Sequence, residues 1–112
     1  MTASDDDAIY LWRADGLFFD GVQVYKIGRT SSRLGRQRID QVSKAQKLSA
    51  EIILLAKTEG KAKDLERKLL EFGEPVPFLT GDGATEFRAL TERELARVKS
   101  EITCGCIEEI EP

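Results

Sequence analysis

Apolar and polar positions along this chain follow two different periods, and the changes of period mark the elements. Ala8-Ile9-Tyr10-Leu11-Trp12-Arg13 is rich in β-formers and Val22-Gln23-Val24-Tyr25-Lys26-Ile27 alternates, so each reads as a strand. The turn dipeptides Asp15-Gly16 and Asp20-Gly21 between them predict a hairpin with a loop around Leu17-Phe18-Phe19. In the second strand Val22, Val24 and Lys26 share one face, and Gln23, Tyr25 and Ile27 share the other. From Arg33 to Lys47 the period lengthens to that of a helix: Leu34, Arg38, Val42 and Ala45 form a stripe flanked by Ile39 and Leu48, and Ser31 or Ser32 is placed to cap it.

The second half continues in the same manner. Glu51-Ile52-Ile53-Leu54-Leu55-Ala56 is a nearly unbroken apolar run, as in a central strand covered on both faces. From Lys61 to Phe72 the positions Ala62, Leu65, Leu69 and Phe72 recur at helical spacing, and Gly73 supplies a stop. Ile53, Leu55, Leu65 and Leu69 are expected to share one core. Glu74 to Gly83 reads as a loop, Thr85 to Leu90 as a short strand, and Thr91 with Glu94 as a capping box opening a helix to about Ile102. The order β-β-α-β-α-β-α predicts a small α+β sandwich, a mainly antiparallel central sheet flanked by helices. Residues 1–7 read as a disordered acidic leader, 8–103 as one domain and 104–112 as a mobile tail.

Composition narrows the chemistry. At 112 residues with 41% hydrophobic and 33% charged, one soluble domain is expected, and no apolar run approaches the roughly 20 residues of a membrane span. The acidic start is the wrong charge for a signal peptide, and Cys104-Gly105-Cys106 is too close for an ordinary disulfide framework. An intracellular, cytoplasmic protein is therefore expected. A structural zinc needs about four ligands, so the two cysteines read as ordinary thiols. Histidine is absent, which leaves carboxylates, tyrosine, lysine, arginine or a carboxylate-bound hard cation to carry any catalysis. Charge is unevenly spread: from Lys26 to Lys47 seven basic residues stand against the single acid Asp40, in a chain whose formal charge is -3. One face is thus expected to meet an anion, with Arg29, Arg33, Arg36, Lys44 and Lys47 as nucleic-acid contacts; a solvated basic helix is the plainer reading.

Ala8-Ile9-Tyr10 followed by Tyr25-Lys26-Ile27-Gly28 resembles the paired motif of the GIY-YIG nuclease superfamily, in the phage and bacterial branch whose second motif reads Tyr-Lys-Ile-Gly-Arg-Thr. The resemblance continues through an arginine on the next helix, Leu65-Glu66, and Glu86-Phe87, and spans roughly residues 8 to 98. It implies metal-assisted hydrolysis of DNA, double-stranded, with weak sequence preference. In that scheme Tyr10 helps the attacking water lose its proton, and Lys26 stands where many relatives carry the second tyrosine, with Tyr25 beside it. Arg38, or Arg36 in a shifted register, stabilises the phosphate, and Glu66 holds Mg2+ or Mn2+. For a phenol to act as a base near neutral pH a neighbouring cation must lower its pKa, and Lys26 or the metal is placed to do so. Three departures stand out: Ala8 replaces the first motif's glycine, Leu69 and Leu70 lie where the branch often carries a histidine, and the aromatic pair after the acid is reduced to Phe87-Arg88. Read without the resemblance, Tyr10 packs in a sheet, Arg38 pairs with Asp40 or Glu66, and Glu66 is a helix carboxylate facing Lys63 or Arg67. The alternatives to an enzyme are a nucleic-acid-binding module on the nuclease fold, a partner protein of a phage or mobile element, and an adaptor working through an acidic surface.

Overall fold

The computed structural model describes residues 7–58, 62–79 and 84–111. Strand β1 (Ala8–Phe19) turns at Asp20-Gly21 into β2 (Val22–Thr30); α1 (Gly35–Ala45), β3 (Ser49–Thr58) and α2 (Ala62–Leu69) follow. The two-residue β4 (Glu74–Pro75), a 3-10 turn (Ala84–Glu86), β5 (Phe87–Ala89), α3 (Glu92–Gly105) and β6 (Cys106–Glu111) complete the chain. The strands form one antiparallel sheet in the order β4-β5-β2-β1-β3-β6, giving the expected α+β architecture with a longer sheet. No helix among the described residues is long and apolar enough to cross a membrane.

The hairpin is tighter than its turn dipeptides suggest. Asp20 and Gly21 both take positive φ, 54° and 77°, which suits a two-residue hairpin turn, and the ladder resumes at Phe19 opposite Val22. Residues 14–19 therefore belong to β1, with an irregularity between Arg13 and Phe18. The Gln23 side-chain amide donates to the carbonyls of Ala14 (2.7 Å) and Leu17 (3.0 Å), meeting acceptors that the broken register leaves over.

The sheet has two buried faces. On one, Tyr10, Trp12, Val24, Leu55 and Phe87 pack with Ile39 and Val42 of α1, and Trp12 meets Phe87 edge-on at 5.5 Å. On the other, Ile9, Leu11, Tyr25, Ile27 and Leu54 pack with Ala62 and Leu69 of α2 and Val98 and Ile102 of α3. Leu55 thus leaves the core in which Ile53, Leu65 and Leu69 do lie. The cause is a one-residue bulge: Leu11 pairs with Leu54 and Trp12 with Ile52, so Ile53 is extra and the alternation slips.

Helix α1 also differs from its pattern. It begins at Gly35, with no side-chain cap at Leu34, and buries Gly35, Ile39, Val42 and Ser43, while Leu34 is exposed. The stripe is rotated by about one position because Gly35 lies flat on Leu55; a Cβ there would stand 2.9 Å from both Leu55 methyls. Ser32 caps nothing: its N–H and hydroxyl donate to the Asp7 carboxylate at 2.6 and 3.0 Å. Asp7, assigned to the leader, is thereby tied to the fold, and its carbonyl also accepts from Thr58 N–H at 2.8 Å. Cys106–Glu111, read as part of the tail, pairs antiparallel with β3, which offers it backbone hydrogen bonds. Residues 1–6, the expected helix start at Lys61, residues 80–83 and Pro112 lie outside the described residues. The Thr91–Glu94 capping box is present as expected.

Candidate active site at the open end of β2

The site follows from a short neighbour. Strand β5 pairs with β2 only at Val24, Tyr25 and Lys26, so the rest of β2, through Thr30, runs on past the start of β5. Tyr10 lies opposite Gly28 across the β1–β2 ladder, and its ring covers the glycine: a Cβ on Gly28 would fall 2.3 Å from the ring carbon bearing the hydroxyl. Any side chain at position 28 would expel the ring. With glycine there, the Tyr10 hydroxyl reaches a cleft of about 300 Å³ lined by Tyr10, Arg29, Thr30, Arg38, Glu66 and Glu86.

Lys26 backs two of the lining residues, Tyr10 and Glu86. Fully buried, it donates to the Tyr10 hydroxyl at 3.3 Å and to the Ile27 carbonyl at 3.4 Å, and is paired with the Glu86 carboxylate. Its ammonium also lies 5.3 Å from the Tyr10 ring centroid and 5.8 Å from that of Phe87. Burial pulls the Lys26 pKa below its ordinary value, opposed by Glu86. Glu66 projects from α2, with its side chain 7% exposed, and Oε1 accepts from Arg29 Nη1 at 3.0 Å. Oε2 is buried and receives no hydrogen bond. Burial first, and Glu86 second, push the Glu66 pKa up to about 7, against the pull of Arg29 and Lys26. The two carboxylates can bond to each other only when one is protonated.

Tyr10 is shifted upward as well, by burial first and then by Glu86, while Arg38 acts in the opposite direction. The expected lowering by Lys26 is not met, because the burial of the phenol outweighs the neighbouring charges. In this state the Tyr10 phenol keeps its proton.

The structure thus brings together Tyr10, Lys26, Arg29, Arg38 and Glu66, and adds Glu86 and Thr30, which the sequence reading did not name as site residues. Glu86 carried a signal: an acid immediately before Phe87, the first residue of β5. Tyr25, expected beside the reaction, is instead 7% exposed in the core on the opposite sheet face, as β2 alternation requires. Arg33, Arg36, Lys44 and Lys47 are exposed and do not line the cleft. Of the two candidate arginines, Arg38 lines it.

The donor set suits a hard cation. It consists of oxygens, one of them buried and without a donor, and hard dications take oxygen ligands while keeping waters and substrate phosphate in the remaining positions. Among the described residues no group of three or more His, Cys, Asp or Glu forms a full protein cage. Cys104 and Cys106 are free thiols outside the cleft. Comparison with protein families, with curated proteins and with solved structures finds no match to this chain.

Proposed function

We propose that the protein is a divalent-metal-dependent endonuclease of the GIY-YIG type, hydrolysing DNA phosphodiester bonds with weak sequence preference. The observation that carries this reading is the convergence of Tyr10, Arg29, Arg38, Glu66 and Glu86 on one cleft, with Lys26 bonded behind Tyr10 and Glu86. Two arginines and two carboxylates line it, so the guanidinium groups can face a phosphodiester while the carboxylates face a dication. Glu66 is the ligand we assign to Mg2+ or Mn2+, which when bound would supply Lewis acidity at the phosphate.

Arg38 is placed to donate parallel hydrogen bonds to phosphate oxygens, with a charge that never leaves it. Tyr10 orients a water by its hydroxyl, and Lys26 holds the phenol in position while Glu86 holds the lysine. The exposed Arg33, Arg36, Lys44 and Lys47 then track the DNA backbone, which positions a duplex without reading its sequence. The free thiols suit work in the reducing interior of a cell.

One observation favours a second reading. A phenol held above its ordinary pKa is a poor base, which suits a nucleic-acid-binding module on the same fold. Supercoiled plasmid incubated with Mg2+ or Mn2+, and in parallel with a chelator, separates the two. Nicking that requires metal is expected; an intact plasmid at every salt concentration, with DNA still bound, would establish the binding module.

A further inference from the structure

The Arg29–Glu66 ion pair neutralises the carboxylate that the proposed function needs as a ligand. Arg29 stands at the mouth, its side chain 35% exposed, and Glu66 lies beneath it at 7%. The guanidinium holds Oε1 at 3.0 Å, while Oε2 is buried and receives no donor. A dication bound by this carboxylate at about 2.0–2.1 Å would face the guanidinium's charge across the same group. With Arg29 in place the carboxylate is therefore a weakened ligand.

Resting on the nuclease reading, we infer that Arg29 is a latch on Glu66, drawn off by an entering phosphodiester, so that the divalent cation and the DNA bind cooperatively. The exchange is chemically balanced. The guanidinium trades one hydrogen bond to Oε1 for a charge-assisted, two-pronged contact with phosphate oxygens, and the carboxylate trades the guanidinium for the cation. Arg38 lines the same cleft, so a phosphate has a second guanidinium to bridge to. Since coupling is reciprocal, the cation tightens DNA binding by the same factor by which DNA tightens the cation. Before DNA arrives the site holds little metal.

The test is calorimetric titration of Mn2+ into Tyr10→Phe protein, which keeps every charge in the cleft and spares the duplex, with and without a saturating short DNA duplex. The duplex is expected to tighten Mn2+ by roughly tenfold or more, within the usual range of coupling between sites. Adding Arg29→Ala should tighten Mn2+ several-fold in the absence of DNA and shrink the duplex effect; Arg29→Gln, which keeps a donor without the charge, should do the same if the alanine variant folds poorly. Arg93→Ala on α3 removes an equal charge far from the cleft and should change neither quantity. Mn2+ affinity without DNA that is unaltered or weakened by both Arg29 variants, or raised equally by Arg93→Ala, overturns the latch and leaves the nuclease reading intact. If no variant binds Mn2+ through Glu66 and wild-type protein cuts no plasmid, the nuclease reading fails and takes the latch with it.

Discussion

Lys26 and Arg36 carry the same charge in opposite circumstances. Lys26 is wholly enclosed, paired with Glu86 and bonded to Tyr10, whereas Arg36 lies on the exposed side of α1. Enclosing an ion costs several kcal/mol that its partners must offset, while an exposed charge costs little and contributes little. Lys26 and Glu66 carry that cost beside the polar cleft. The exposed basic residues of α1 require no such arrangement.

That contrast is open to attack at several points. The largest effect should come from Glu66→Gln, which keeps the shape and removes the ligand charge. Metal-dependent plasmid cleavage should fall by orders of magnitude, while metal-free DNA binding, read by gel shift, is kept. A smaller loss is expected from Gly28→Ala, which leaves every charge in place and drives a methyl into the Tyr10 ring. Overpacking of this kind costs about 1–3 kcal/mol, readable by denaturant titration, and cleavage should fall with it as the hydroxyl is displaced. A variant as stable and as active as the parent would mean that the ring does not lie over Gly28.

The pH dependence sharpens the same point. With the Glu66 pKa raised to about 7, the ionised ligand appears only as pH climbs through that value, so Mn2+ affinity should increase across it. For stability the sign is reversed. Between its ordinary pKa of 4.5 and about 7 the folded protein holds a proton that the unfolded chain has released. The Glu66 contribution is therefore fully present below 4.5 and lost as pH rises through about 7. Melting curves of wild type against Glu66→Gln should show the variant lacking that decline. The smallest effect belongs to the surface: Arg33→Ala with Lys44→Ala should reduce the slope of log DNA affinity against log salt by about 2, equally for unrelated sequences. A loss confined to one sequence would make those residues readers of bases.

Much of this was legible before any coordinates. Alternation in β2 separated Lys26 from Tyr25, helical spacing found α2, and Thr91 with Glu94 announced the start of α3. What stayed hidden depended on contacts between elements distant in sequence. Gly35 resting on Leu55 rotates α1 and carries Leu34 outward; the bulge at Ile53 moves Leu55 to the other face. Neither leaves a local trace in composition. The position of Lys26 was readable from its strand, but its burial against Glu86 requires β5 to lie beside β2, a pairing across a long separation in sequence. Residues 106–111 looked like a polar tail because an edge strand exposes most of its side chains.

The central claim is that chemistry resides in the enclosed cleft and not on the basic surface, and one paired measurement tests it most directly: rates of Mn2+-dependent plasmid nicking by Arg38→Ala and Arg36→Ala under identical salt. Arg38 lines the cleft, so its loss should slow nicking by roughly a hundredfold or more, as when a positioned donor to developing charge is removed. Arg36→Ala should stay within a few-fold of wild type, its deficit recovered at lower salt. The reverse result, Arg36→Ala inactive and Arg38→Ala unimpaired, would contradict the account.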